Sequence, residues 1–240
     1  MRVCNKFECE KCETHVLIYH IGKTILASVI VEEARVMKKN LSTSVSTHNS
    51  ISVAFFYCRH GNPNQSSFIS VMRGLIAQIT KQNPGILPVL YEEISRSGEI
   101  GLSTRKDASH FLETAVMGSL SLASTMYIVV DGLDECEEEE MTKIVETLTG
   151  IAQSLNKKSS GTCRLFFTSR DESAIQRVLA TAVKCKLRPQ DNAQDFEIYA
   201  NALSVKIKEK FNLSEREKDH LATSVTSNAK GKLHVLLHLI

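Results

Sequence analysis

The chain has 240 residues, 42% hydrophobic and 23% charged, and its 29 Lys plus Arg against 27 Asp plus Glu leave a formal charge of +2. This length can bury a real core as one large domain, or as one domain with part of a second, and the near-balanced charge offers no electrostatic pull toward nucleic acid. No uncharged apolar run reaches the roughly 18 residues a membrane helix needs, and Lys6, Glu8, Glu10 and Lys11 stand where a signal peptide would be apolar, so no membrane partner and a cytoplasmic location are expected.

Residues 1–20 form an unassigned segment. Its Cys9-x-x-Cys12, with Cys4 and His15, holds some donors of a zinc site but lacks a second ligand pair. The seven cysteines are an odd number and are expected to be thiols. From Lys23 to about Lys39, Ile25, Leu26, Val29, Ile30, Val36 and Met37 repeat as on a helix with one buried face. Ser52 to Tyr57 reads as a strand. Ser66 or Ser67 can cap a helix through Phe68, Val71, Leu75, Ile76 and Ile79 that stops before Pro84-Gly85.

Ser95 to Lys106, polar and Gly-containing, reads as a loop, and helical spacing resumes from Asp107 to about Leu120. Met126 to Asp131 is an apolar strand without polar alternation, as in a parallel sheet covered on both faces. Three carboxylates, Asp131, Asp134 and Glu135, close it. Glu137 to Leu155 is helical, with Met141, Ile144, Val145, Leu148 and Ile151 on one side, and Cys163 to Thr168 is a further strand leading into Ser169-Arg170. Strands alternating with helices predict an α/β fold with a mostly parallel sheet. After about Pro189 the pattern becomes helical, from Asp195 to Lys210 and then from the capping box Ser214-x-x-Glu217. The apolar Leu233 to Leu237 ends the chain without a stop signal.

Gly22-Lys23-Thr24 matches the last three positions of the phosphate-binding loop, Gly-x-x-x-x-Gly-Lys-[Ser/Thr]. Gly22 lets backbone approach an anion, the Lys23 ammonium reaches phosphate oxygens, and the Thr24 hydroxyl can complete a Mg²⁺ shell. Mg²⁺ takes few carboxylates, so Asp131 serves as its acidic anchor, with Asp134 or Glu135 left to orient or deprotonate a water. Arg170, at the end of the Cys163 strand, is placed to pair with phosphate oxygens or with an acidic neighbour. Glu137 to Glu140 read as a solvated first helical turn.

These motifs, in this order, resemble the NACHT branch of the STAND NTPases, in particular the nephrocystin-like amino-terminal domains of fungal signalling and heterokaryon-incompatibility receptors. Besides Gly22-Lys23-Thr24, the resemblance rests on Val53 to Tyr57, Arg73 to Ile79, Val129 to Cys136 with its Asp-Gly-Leu-Asp-Glu form, Phe167 to Arg170, and Asp195 to Tyr199. It implies a three-layer P-loop sandwich over residues 21–190 and, over 191–240, the start of a helical or winged-helix region that is cut short. It further implies an ATP- or GTP-driven signalling switch with Mg²⁺, slow hydrolysis and self-association. Lys23 and Thr24 match the Walker A end, Asp131 the magnesium acid, Asp134 and Glu135 the catalytic acids, and Arg170 the sensor arginine.

One departure stands out. Where the family has Gly-Lys-Pro-Gly-x-Gly-Lys-Thr, this chain has Leu17-Ile18-Tyr19-His20-Ile21-Gly22-Lys23-Thr24, so Leu17 and His20 replace two glycines. Val16 to Tyr19 then stands in for the first strand, ahead of a shortened loop. The competing expectation is an interaction module or remnant that has lost nucleotide binding through this loop.

Overall fold

In the computed structural model, which describes residues 14–18, 23–42, 50–97, 104–120, 124–157, 161–171, 173–180, 182–186 and 193–229, the apolar run before the three acids is an interior strand. Five strands make the sheet: β1 (Thr14–Ile18), β2 (Ile51–Tyr57), β3 (Thr125–Asp131), β4 (Thr162–Ser169) and β5 (Val183–Lys186), in the order β2-β3-β4-β1-β5. The pairs β2 with β3, β3 with β4, and β4 with β1 are parallel. The five strands thus include the one expected over Val16 to Tyr19, now Thr14–Ile18, and β5, which the sequence reading did not anticipate.

Between them run α1 (Lys23–Ser42), α2 (Pro63–Ser66), α3 (Phe68–Gln82), α4 (Leu87–Ser97), α5 (Arg105–Ser119), α6 (Glu138–Lys157) and α7 (Ser173–Val178). A parallel sheet needs such crossovers, and they cover both faces. On one face, Ala27, Val31 and Ala34 of α1 pack on Ile51, Val53, Val129 and Phe166. On the other, Val71, Met72, Leu75 and Ile79 of α3, Leu112 and Val116 of α5, and Ile144 and Leu148 of α6 pack on Met126, Ile128, Val130, Leu165 and Phe167. Each large side chain fully buried there contributes roughly 1.5–3 kcal/mol. This is why β3 and β4 read as unbroken apolar runs rather than alternating ones.

Ser67 starts α3, its Oγ accepting from the Ser70 amide, while Glu140 of α6 accepts from the Phe68 amide. Thr104 does the same for α5 through the Asp107 amide. The stretch expected as a loop from Ser95 to Lys106 is helical to Ser97, because α4 begins at Leu87 with buried Leu90 facing the core, and helical again from Arg105, where α5 begins; residues 98–103 lie outside the described ones. The Pro84-Gly85 break masked this short helix in the sequence.

The outer edge of β2 is closed by side chains. Gln78 donates to the Phe55 carbonyl (2.7 Å) and accepts from its amide (3.2 Å), and Gln82 does the same at Val53 (2.7 and 3.2 Å). Four residues of helix rise about 6 Å and two residues of strand about 6.6 Å. Glutamines at i and i+4 of α3 therefore meet alternate residues of the strand and stand in for a neighbouring one.

The described residues fall into two units, one reaching Cys185 and one from Lys186 onward. In the second, α8 (Ala193–Phe211) and α9 (Glu215–Ala229) form a helical hairpin. The Ser214–Glu217 capping box is formed: the Glu217 carboxylate accepts from the Ser214 amide (2.8 Å) and the Ser214 hydroxyl from the Glu217 amide (3.3 Å). Leu233 to Leu237 and Cys4, Cys9 and Cys12 lie outside the described residues. Among those described, no helix is long and apolar enough to cross a membrane.

Candidate functional site

The strand order places β4 between the strand that precedes Lys23 and the strand that ends at Asp131. The carboxyl ends of three strands and the start of a 20-residue helix consequently meet at one edge of the sheet, the position where α/β sheets bind ligands. Lys23 and Thr24 open α1, where backbone amides and the helix dipole favour an anion. Gly22 lies outside the described residues.

Thr24 donates its hydroxyl to Asp131 Oδ2 (2.7 Å), and Thr168 donates to Asp131 Oδ1. Thr168 in turn accepts from the Gly132 amide (2.9 Å). Asp131 is 4% exposed and Thr168 fully buried, so both carboxylate oxygens are met by hydroxyls from neighbouring elements. Gly132 takes φ +75°, a left-handed conformation that non-glycine residues reach at a cost. It turns the chain directly after the acid into the 3₁₀ turn Leu133–Glu135, with Leu133 fully buried beneath.

That turn aims Asp134 back at α1. Lys23 Nζ lies 2.5 and 2.6 Å from the two Asp134 oxygens. Arg170 adds its backbone amide at 3.1 Å and its Nε at 3.2 Å. The Asp134 side chain is 2% exposed, Lys23 12% and Arg170 54%. The acid is thus a buried anchor for two cations, and an ammonium with three N–H groups keeps one beyond the two directed at Asp134. Glu135 Oε2 accepts from the His60 amide at 3.2 Å. Lys23, Thr24, Asp131, Asp134 and Arg170 come together here, while the Glu135 side chain, next in the turn, is held by the His60 amide.

Sequence reasoning missed two contributors. Cys58, directly after β2, donates its amide to the Asp131 carbonyl at 2.8 Å. A hydrogen bond with Cys136, then burial, push the Cys58 thiol well above the ordinary thiol range. Tyr57 shares a 3.1 Å hydrogen bond with Ser28 of α1. The signal available was position alone: both residues end a strand beside the acidic one.

A phosphate-bound Mg²⁺ fits these residues. Thr24 and Asp131 supply a hydroxyl and a carboxylate in contact, and Ser169, fully buried at the end of β4 opposite Ile18, has an Oγ with no hydrogen-bond partner among the described residues. Among the described residues no three His, Cys, Asp or Glu gather as a metal cage. A cation here would draw most of its ligands from water and phosphate, as Mg²⁺ does.

The sheet order, the α1 start and the acid-tipped strand define a NACHT-type, P-loop NTPase-like domain. The family model described as "Nephrocystin 3, N-terminal" matches residues 9–170, and the chain belongs to that family. The chain is 24% identical over 222 residues to the vegetative incompatibility protein HET-E-1 of Podospora anserina, covering 90% of this chain and 14% of that protein. Among solved structures, the Aeropyrum pernix ORC2 protein is similar with a TM-score of 0.50 at 12% identity, over 90% of this chain and 61% of that one. Cdc6p from Pyrobaculum aerophilum aligns with a TM-score of 0.42 at 14% identity, over 78% and 41%. The chain thus spans a small part of its curated relative.

Proposed function

We propose that this chain is a nucleotide-binding switch module that takes ATP or GTP with Mg²⁺ at the edge of the sheet where Lys23, Thr24 and Asp131 meet. The observation that carries the reading is the pair of contacts from consecutive α1 residues to the acidic strand, Lys23 to Asp134 and Thr24 to Asp131. Lys23 and Thr24 hold phosphate oxygens, helped by the amides of the α1 start. Asp131, kept in place by Thr168, holds the cation, which supplies charge neutralisation at the phosphates when bound. Asp134 positions Lys23 and Arg170. Glu135 orients the attacking water for slow hydrolysis.

The family membership supports this reading, as does the fold shared with the Aeropyrum pernix ORC2 protein, described as ADPNP–ADP complexes. Residues 21–190 would act as the nucleotide domain and 191–240 as a helical region, with self-association coupled to the bound nucleotide.

Isothermal titration of the folded chain with Mg-ATP and with Mg-GTP tests the proposal. Binding to one or both is expected, with Lys23→Ala weakening it at least tenfold, about 1.4 kcal/mol. No heat of binding from a folded sample would overturn it.

A second reading is favoured by one specific feature, the β-like run Leu17 to His20 in place of loop glycines. Under it the chain is an interaction module whose shortened loop no longer cradles phosphate. Glycine at both Leu17 and His20 discriminates: binding that appears only in that variant favours the second reading.

A further inference from the structure

The segment that follows β2 is fastened to the acidic turn at two points. The Cys58 amide donates to the Asp131 carbonyl at 2.8 Å, and the His60 amide donates to Glu135 Oε2 at 3.2 Å. The first bond carries the pairing of β2 with β3 one residue past its last register pair, Tyr57 with Asp131. The second joins a main-chain N–H to a side chain. Asp131 and Asp134 each have both carboxylate oxygens engaged, by Thr24 and Thr168 and by Lys23. Glu135 differs: the His60 amide takes Oε2, and among the described residues nothing engages Oε1.

The direction of the His60 N–H is set by backbone. His60 is second in a turn closed by the Asn62 amide on the Arg59 carbonyl at 3.3 Å. Gly61, the third residue, takes φ +73°, whereas His60 does not have a positive φ. That combination marks a type II turn, which uses glycine in third place and accepts proline in second. Both ends of the turn are tied down: the Arg59 amide donates to the Gln65 carbonyl at 3.0 Å, and Asn62 caps α2 by accepting from the Asn64 amide at 3.1 Å. The His60 side chain is exposed.

A glutamate side chain loses much rotamer freedom when one oxygen is fixed, and holding a catalytic group in place lowers the barrier it acts on. We infer that the His60 main-chain N–H is a positioning group for Glu135, holding Oε2 so that Oε1 is left to accept from the water that attacks a bound nucleotide. In that step the water oxygen bonds to the terminal phosphorus as its bond to the bridging oxygen breaks. One water proton passes to Oε1 and leaves with the phosphate, giving nucleoside diphosphate and inorganic phosphate. The role rests on the nucleotide-binding reading above; the bond between His60 and Glu135 does not.

His60→Pro deletes the N–H while suiting the second place of the turn, and His60→Ala keeps the N–H without the imidazole. With saturating Mg-ATP or Mg-GTP, phosphate release by His60→Pro is expected to fall roughly three- to tenfold, the loss of one hydrogen bond to a charged group. Nucleotide affinity by titration and melting temperature should hold, and His60→Ala should keep both rate and affinity. An undiminished rate in His60→Pro, or an equal fall in His60→Ala, would overturn the inference. So would a fall that comes with weaker nucleotide binding and a lower melting temperature, which would make the turn merely structural.

A second measurement needs no nucleotide. Hydrogen exchange followed by NMR should show the His60 amide exchanging faster in Glu135→Ala than in the unaltered chain, with the Asn64 amide unchanged. Equal exchange at His60 would overturn the inference whatever the chain binds. If titration finds no nucleotide bound, the nucleotide reading fails and the hydrolytic role with it, while the exchange result still decides the bond. A chain that binds nucleotide but releases no phosphate would overturn the role alone.

Discussion

Lys23 and Asp134, separated by most of the domain in sequence, meet with both carboxylate oxygens 2.5 and 2.6 Å from the ammonium. The pair ties the first turn of α1 to the turn after the acidic strand. Because the Asp134 side chain is 2% exposed, its charge depends on these partners for solvation.

Lys23→Ala therefore acts on stability as well as on ligand. Removing one partner of a buried ion pair costs roughly 3–5 kcal/mol, and Arg170, still in contact with Asp134, holds the loss near the lower end. Urea unfolding followed by circular dichroism should show a lower midpoint. Lys23→Ala combined with Asp134→Asn should recover part of the loss, since no buried charge is then left unpaired.

Thr168→Val removes the hydroxyl that joins the Gly132 amide to Asp131 while keeping the volume. It leaves a buried amide without its acceptor, at about 1–3 kcal/mol. The same variant should raise the Mg²⁺ concentration needed for half-maximal nucleotide binding, because Asp131 loses one of the two groups that orient it. Loss of stability with an unchanged Mg²⁺ requirement would confine Thr168 to a structural role.

Gly132→Ala places a side chain at φ +75°, with its Cβ 3.2 Å from Glu135 Cγ and 3.4 Å from the Cys58 carbonyl oxygen. The left-handed conformation alone costs about 1–2 kcal/mol. A lower melting temperature is expected, whereas Gly150→Ala, inside α6 where a Cβ meets nothing within 4 Å, should raise it because alanine favours a helix interior over glycine.

Gln78→Ala with Gln82→Ala strips the partners from the outer edge of β2. Exposed strand edges pair with other chains, so the double variant should self-associate with concentration in sedimentation velocity runs under conditions where the unaltered chain does not. An unchanged sedimentation profile would show that the edge is protected in another way.

In the helical hairpin, Lys208 of α8 and Lys218 of α9 hold the Glu215 carboxyl down at about 2. A depressed carboxylate adds stability above its unfolded value of 4.5 and loses it as pH falls toward 2. The helical signal of the chain carrying Glu215→Gln should thus be less sensitive to acid across that window than that of the unaltered chain. Since the Glu215 carboxylate is exposed to solvent, about 1 M salt, with a Debye length near 3 Å, should shrink the difference.

Much of this was readable from local pattern. Helix and strand periods placed α1, β2, α3, α5, β3, α6 and β4, and the Ser214–Glu217 box marked the start of α9, because these signals lie within a few residues of one another. The Gly-Lys-Thr triplet at a helix start singled out Lys23 and Thr24, and the composition of the strand ends singled out Asp131, Asp134, Glu135 and Arg170. The helix α4 carries Leu87, Leu90, Tyr91 and Ile94 at helical spacing but was hidden by Pro84-Gly85 and Pro88, and the strand β5, four residues long, is too short for a period to emerge. Nothing in the sequence pattern pointed to the role of the glutamines at 78 and 82, which depends on the facing strand.

What the sequence determined by itself is most of the longer elements and the identity of the acids and cations, since backbone periodicity and side-chain chemistry are properties of short segments. What the tertiary structure alone decided is who meets whom. Inserting β4 between β1 and β3 put Thr168 against Asp131 and turned Asp134 onto Lys23 instead of onto solvent. Those pairings depend on strand order and register, which arise from closing long crossovers over a shared core, and no local run of residues encodes them.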